Sequence, residues 1–322
     1  MKKKLLSMIL GVSMVAAMLT GCGKKQESTE NTAITMASNP FVGLAPVYVA
    51  MDKGFFTECG IDFSMVDFDD STSSCSALLA DKVDLAYVTL DAAIIAESQY
   101  QEDMLDVVSV IDESAGADGI LVKNDITGIA DLKGKTIGVS INQTSHYLLL
   151  QALEKGGLTD SDVELVNMTS SDAGVSFIGG ALDAAVTWEP YLSNAVNSGA
   201  GKLIFSSADA PGTIVDVIAA GTQNQDAEWL EDVNEAIQMG LDYLNDEATH
   251  EEAVKIIANY LEVETDEVES MLSTIKLYGT DEAKEAMQED GLLYSAIKDI
   301  SEFYFSKEII ENHVEASQLL SK

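Results

Sequence analysis

Thr187-Trp188-Glu189-Pro190-Tyr191 places a large aromatic, a carboxylate and a helix-starting proline at the end of an apolar run. Trp188 can stack on a planar or methylene-bearing solute, or hold a cation over its face. Glu189 can accept from amino groups or neutralise an ammonium. The structural alternatives are core packing for Trp188 and helix capping for Glu189. Asn142-Gln143-Thr144-Ser145-His146 leaves one strand-like run and enters a helical stretch at 144–155. The free N–H groups of such a start, with Asn142, Thr144 and Ser145 beside them, suit a carboxylate or small anion. His146 can donate or accept and changes charge near neutral pH. It has no Cys or second His nearby, so no metal is expected. Asn39-Pro40-Phe41-Val42-Gly43 offers the polar Asn39, a flat wall in Phe41 (or a core residue) and close backbone approach at Gly43. Asp70 and Ser71, in the hydroxyl-rich loop 68–74, either cap a helix or meet a solute. Thr89 and Asp91 carry the same two readings, and Asp172 reads as a cap. Asp216 interrupts the apolar run IVDVIAA, where a carboxylate needs a partner or a wet edge.

No catalytic constellation emerges. There is no P-loop, no H-E-x-x-H, no G-x-S-x-G and no dinucleotide fingerprint. No triad can be assembled by spacing alone. The expectation is a binding protein without catalytic residues or cofactor.

The elements that must position these side chains alternate. Strand-like runs occur at 34–38, 61–68, 83–89 and 105–111, then at 118–123, 136–141, 163–167, 182–187, 202–206 and 214–220. Helical stretches at 44–53, 73–81, 90–99, 144–155, 172–179 and 190–198 separate many of them. This is an α/β pattern of two interleaved units, each predicted to hold a largely parallel sheet covered on both faces. Segments 79–88 and 178–187 echo one another: helix end, turn, then an Asp opening a buried strand that runs into an acid, Asp91 or Glu189. Two similar sheets would each present loops at a carboxyl edge, where open α/β sheets bind ligands. Beyond Gly221 the pattern becomes helical, at 226–245, 250–260, 281–289 and 302–320. Thr249 with Glu252 has capping-box spacing, and Thr265 is a second candidate cap.

Among 322 residues there are 54 acids and 18 basic residues, all Lys, for a net charge of −36. A nucleic-acid partner is excluded by the missing basic footprint. Without Arg there is also no guanidinium clamp for an anion. The last 99 residues hold 25 acids against 6 Lys, which reads as solvated helix faces around a modest core.

Lys2 to Lys4 precede the apolar run 5–18, shorter than the roughly 20 residues of a bilayer span. Leu19-Thr20-Gly21-Cys22 resembles a bacterial lipobox. Residues 1–21 are then a lipoprotein signal peptide, Cys22 the lipidated residue and 22–32 a polar tether. An exported pair, Cys59 and Cys75, invites a disulfide. However, a strand of about 25 Å lies between them, so two free thiols are expected.

PVYVAMDKGFF (46–56), GADGILVKNDITGIADLKGKTIGVS (116–140), SHYLLLQALEKGGL (145–158) and DAAVTWEPYL (183–192) resemble solute-binding proteins of ABC importers. The branch is the nitrate, sulfonate, taurine and thiamine-precursor binding group. The resemblance covers about 35–220. It implies two Rossmann-like lobes joined by a two-strand hinge, the type II periplasmic-binding-protein architecture, with a helical C-terminal extension of the first lobe. Lobe one would comprise 33–116 plus 221–322, and lobe two 117–220. It also implies a lipid-anchored monomer on the outer face of the bacterial cytoplasmic membrane, handing a small-molecule solute to the transmembrane subunits of an ABC permease. The family's cleft loops fall on Asn39 to Gly43, Asp69 to Ser71, Thr89 to Asp91, Asn142 to His146 and Trp188-Glu189. With Asp91, Glu189 and Asp216 nearby, a solute bearing an amine or an NH-rich ring is favoured over a sulfonate, and zwitterions satisfy both patterns. An enzyme of the same fold acting on a pyrimidine-like substrate and a non-transport surface sensor are the alternatives.

Overall fold

The computed structural model describes residues 31–100 and 103–320. The signal peptide, Cys22 and the tether as far as residue 30 lie outside them. Eleven strands are present among the described residues: β1 (Thr32–Ser38), β2 (Ile61–Asp67), β3 (Leu85–Thr89), β4 (Leu105–Ser114), β5 (Asp118–Val122), β6 (Thr136–Val139), β7 (Glu164–Asn167), β8 (Ala184–Trp188), β9 (Lys202–Ser206), β10 (Val215–Gly221) and β11 (Ile275–Leu277). The first ten answer the ten apolar runs of the sequence. β11 carries only three residues and no distinctive pattern.

The strands form two sheets, ordered β11-β4-β10-β3-β1-β2 and β7-β6-β8-β5-β9. Read from opposite ends, β4-β10-β3-β1-β2 and β9-β5-β8-β6-β7 are the same arrangement. The echoed segments occupy equivalent places in it. Asp84 accepts from the Thr35 N–H of β1 at 2.8 Å, and Asp183 from the Thr136 N–H of β6 at 3.3 Å. In both lobes the Asp therefore ties the entry of a central strand to its parallel neighbour.

The sheets are mixed rather than largely parallel. β10 runs antiparallel to β3 and β4, and β5 antiparallel to β8 and β9. These are the strands that follow the two crossings between sheets, so each enters its sheet from the cleft side. The crossings, 115–117 and 207–214, lie side by side: Gly116 N–H donates to Ser207 Oγ at 2.7 Å, and Ser207 Oγ lies 2.7 Å from Ser114 Oγ. Together they form the two-strand hinge. Residues 215–220 belong to the first sheet, so the return crossing precedes the expected boundary at 220/221.

Helices cover both faces of the sheets. Buried Val, Leu and Ile side chains, each contributing about 1.5–3 kcal/mol, fill the cores between them. The C-terminal helices are more than a solvated appendage. Ala236 and Ile257 complete the core on one face of the first sheet, and Leu293, Ile297 and Tyr304 that on the other. The expected helix at 302–320 is instead two elements, Leu292–Ser306 and Ala316–Leu319. Gly291 opens the first, and left-handed Glu308 (φ 57) turns the chain out of it. Three cap assignments also change. Thr249 Oγ1 donates backwards to Tyr243 O at 2.6 Å, leaving Glu252 to accept from Lys53 and Tyr243. Glu264 replaces Thr265 at the N-cap position, its N–H donating to Glu267 Oε2 at 3.4 Å. Thr169 accepts from Asp172 N–H, so Asp172 is the capped residue. Cys59 and Cys75 are free thiols, and burial pushes Cys75 up to about 12.

Candidate ligand-binding cleft

The carboxyl ends of β1 and β3 and the start of β10 face the carboxyl ends of β6 and β8 and the start of β5. Between them lies a cleft with about 620 Å³ of atom-free space, part of it open to solvent. Ten of the fourteen residues singled out from sequence line it. The first lobe supplies Asn39, Phe41, Asp70, Ser71, Thr89, Asp91 and Asp216, and the second supplies Thr144, Ser145 and Trp188.

Local structure sets each one. Asp70 caps the helix Ser71–Leu79, accepting from Ser73 N–H at 2.7 Å, and Ser71 Oγ accepts from Thr89 N–H at 3.2 Å. Capping and cleft lining thus coincide rather than compete. Trp188, the last residue of β8, sits opposite Asp118, the first of β5. Hydrogen bonds cross the cleft. Thr144 Oγ1 donates to Asp91 Oδ1 at 2.9 Å and lies 3.0 Å from Thr89 Oγ1, while Gln143 Nε2 reaches Asp70 Oδ2 at 3.5 Å. Beside the cleft, the Tyr147 ring of lobe two meets Phe303 and Tyr304 of lobe one edge-on, at 5.0 and 5.3 Å between centroids.

Four predicted residues stand outside this lining. Gly43 lies below it, where an added Cβ would overlap Asp112 Oδ2 and the Tyr87 hydroxyl. Left-handed Asn142 (φ 61) turns its N–H back to His146 Nδ1 at 3.2 Å. Burial holds His146 below the usual histidine range. Its Nδ1 accepts, so the neutral ring carries its hydrogen on Nε2. Glu189 is the capping alternative realised: it accepts from Ser193 N–H at 3.0 Å and Ser193 Oγ at 2.8 Å. It faces a groove shared with Asp266 and Glu267 instead. The echo between Asp91 and Glu189 therefore stops at the strand ends.

The lining also includes Thr72, Ala92, Ile95, Asp118, Gln143, Ser170 and Ile214, which the sequence reading did not select. Asp118 carries the signal that revealed Asp216, an acid opening a buried apolar strand. It accepts from Ser114 Oγ at 2.6 Å, yet burial, with Asp91 and Glu189 adding to it, pushes it up to about 6. Asp91 is 2% exposed and accepts from Tyr304 OH at 2.8 Å. Burial raises it despite that bond. Beneath the floor, Tyr87 OH lies 2.9 Å from both Asp112 Oδ2 and Asp216 Oδ2. Burial raises both carboxyls, and each raises its partner or is bonded to it. Among the described residues no Lys or His lines the cleft. Asn39 Oδ1 and Asp216 Oδ1 are buried acceptors without a donor. The lining therefore offers hydroxyl, amide and indole donors but no cationic side chain among the described residues, with Trp188 and Phe41 as its apolar walls. No group of three or more His, Cys, Asp or Glu among the described residues is placed to hold a metal.

A family model described as NMT1/THI5 like matches residues 42–249. A Bacillus subtilis (strain 168) relative, provisionally named an aliphatic sulfonates-binding protein, is 28% identical over 201 residues, 60% of this chain and 58% of its own length. The taurine-binding periplasmic protein of Escherichia coli (strain K12) is 29% identical over 149 residues, 46% of each chain. The chain thus spans about half the length of the curated relatives it matches. Among solved structures, the alkanesulfonate-binding protein SsuA of Xanthomonas axonopodis pv. citri, bound to MOPS, superposes with a TM-score of 0.73 at 17% identity, covering 90% of this chain and 98% of that one. The desulfurization enzyme DSZB shares the fold at a TM-score of 0.63 and 15% identity, covering 90% of this chain and 96% of that one. The chain belongs to the NMT1/THI5-like family and has the two-lobed type II architecture of periplasmic binding proteins.

Proposed function

We propose that this protein is the lipid-anchored, extracytoplasmic solute-binding component of an ABC importer. It captures one small, amine-bearing polar solute between its lobes and delivers it to the transmembrane subunits of a permease. The observation that carries the reading is the cleft itself: facing carboxyl edges, two adjacent crossings, and the Thr144–Asp91 hydrogen bond drawing one lobe to the other. Binding would favour the closed arrangement by its greater affinity for it. The amine follows from the buried carboxyl groups of the wall and the missing cationic side chain among the lining residues. A sulfonate like those named in the relatives would meet Asp91, Asp118 and Asp216 with no Lys, His or Arg among the lining residues. The lipid anchor rests on Cys22 and the lipobox-like residues before it. An enzymatic role finds less support, because neither Cys59 nor Cys75 lines the cleft and the hydroxyl–carboxylate contact there, Thr144 with Asp91, joins the two lobes.

The test is mass spectrometry of solute carried through gentle purification, followed by calorimetry and small-angle scattering with that solute. The expected result is a small amine released unchanged, one site per chain, and a smaller radius of gyration when bound. Conversion of the solute, or binding without compaction, would reject the reading.

A further inference from the structure

The contacts of Tyr87 with Asp112 and Asp216 cannot all be donated by Tyr87. A phenol carries one hydroxyl hydrogen, yet its oxygen lies 2.9 Å from an oxygen of each carboxylate. It donates to one of them. The second contact is a hydrogen bond only if the other carboxyl keeps its own hydrogen and donates to the phenol. Asp112 and Asp216 are cross-strand partners on β4 and β10, 0% and 4% exposed. Gly43 presses backbone against Asp112, closing it from above. Asp216 alone reaches the cleft, where its Oδ1 has no donor.

We propose that Tyr87, Asp112 and Asp216 share a proton in the empty cleft, and that a cationic amine or amidine seated at Asp216 displaces it. The idea rests on the cleft being the solute site. One carboxyl O–H bond breaks and its proton leaves to solvent. Tyr87 keeps its hydrogen and donates to Asp112, while an N–H of the solute donates to Asp216. One positive charge enters as one leaves, so the floor keeps its net charge.

The surroundings agree. The charged groups acting on the pair are Asp118 from β5, Glu113 from β4 and Asp91 from the helix Leu90–Ser98. All are acids and hold a proton in place. β3 contributes only Tyr87, and β11 sets Leu277 opposite Asp112. Burial pushes both carboxyls above the usual range.

The exchange predicts that affinity for a monocation rises with pH, approaching tenfold per pH unit while one proton is released. The probes are methylammonium, guanidinium and benzamidinium, with taurine and methanesulfonate alongside. Infrared difference spectra between the wild type and Asp112→Asn should show a protonated carboxyl band that disappears when a cation saturates the cleft. Asp112→Asn, whose amide donates in place of the lost proton, should bind cations with a flat pH profile. If that variant does not fold, Tyr87→Phe should shift the band without removing it. Calorimetry in two buffers of different ionisation heat counts the released protons, with about one expected. A band that persists in the cation complex, a pH-independent wild-type affinity, or binding of methanesulfonate alone would overturn the exchange and leave solute capture standing. Failure of all the probes, whatever their charge, to bind would overturn both.

Discussion

Asp118→Asn is expected to make the empty protein more stable and a poorer binder. Asp118 opens β5 at the cleft, accepts one hydrogen bond from Ser114 and is pushed by burial from 3.8 up to about 6. That gap corresponds to roughly 3 kcal/mol between its two protonation states. The folded protein holds the proton more tightly than the unfolded chain does. Stability contributed by the neutral acid is therefore intact only below about pH 4, falls as pH rises, and is fully lost above about pH 6. Asparagine keeps an acceptor for Ser114 Oγ and never ionises. At about pH 8 it should raise unfolding free energy by up to roughly 3 kcal/mol, and near pH 4 by less than about 1 kcal/mol. Urea denaturation of the ligand-free protein at both pH values measures this directly. Affinity for an amine-bearing solute should fall at the same time, because one negative wall of the cleft is gone. An unchanged urea midpoint at the higher pH, or an equal gain at both, would refute the assignment of Asp118 as an ion held against burial.

Glu189→Ala should behave in the opposite way. Losing the cap on Ser193 costs about 1 kcal/mol in a urea melt, while calorimetry with the solute should show affinity within about twofold of wild type. Tyr304→Phe removes the donor to Asp91 Oδ2 and should cost about 1–3 kcal/mol. Because the ionised carboxylate is the form that needs this bond, the loss should grow as pH rises across a series of denaturation curves.

The ten strands and the echo between lobes were legible because a period of apolar runs survives any tertiary arrangement. Asp84 and Asp183 are found in the same role in both sheets for that reason. The mixed strand directions were not legible, since β5 and β10 look like any other buried strand, and only the crossings fix their sense. Side-chain direction at the strand ends was equally hidden. Trp188 and Glu189 are adjacent, yet one faces the cleft and the other turns back onto Ser193. Asp112 escaped attention although it interrupts LDVVSVIDES much as Asp216 interrupts its own run. An acid inside an apolar strand was the better signal here, and it finds Asp112, Asp118 and Asp216 together. The C-terminal helices misled through their charge: their outward faces dominate the composition, and the spaced Leu, Ile and Tyr that complete the first core do not.

The position of β10 carries a consequence for how the chain becomes a folded molecule. The first sheet needs this strand between β3 and β4, but the ribosome makes it only after the entire second lobe. The second sheet is contiguous from β5 to β9 and can close by itself. The first sheet must wait with two strand edges open across the 100 residues between β4 and β10, a separation that slows assembly and leaves those edges free to meet other chains. The lobe encoded in the middle is thus expected to mature before the one encoded at the ends. Destabilising changes in β5–β9 should then show first as misfolding during biogenesis, before any defect appears in the finished binder.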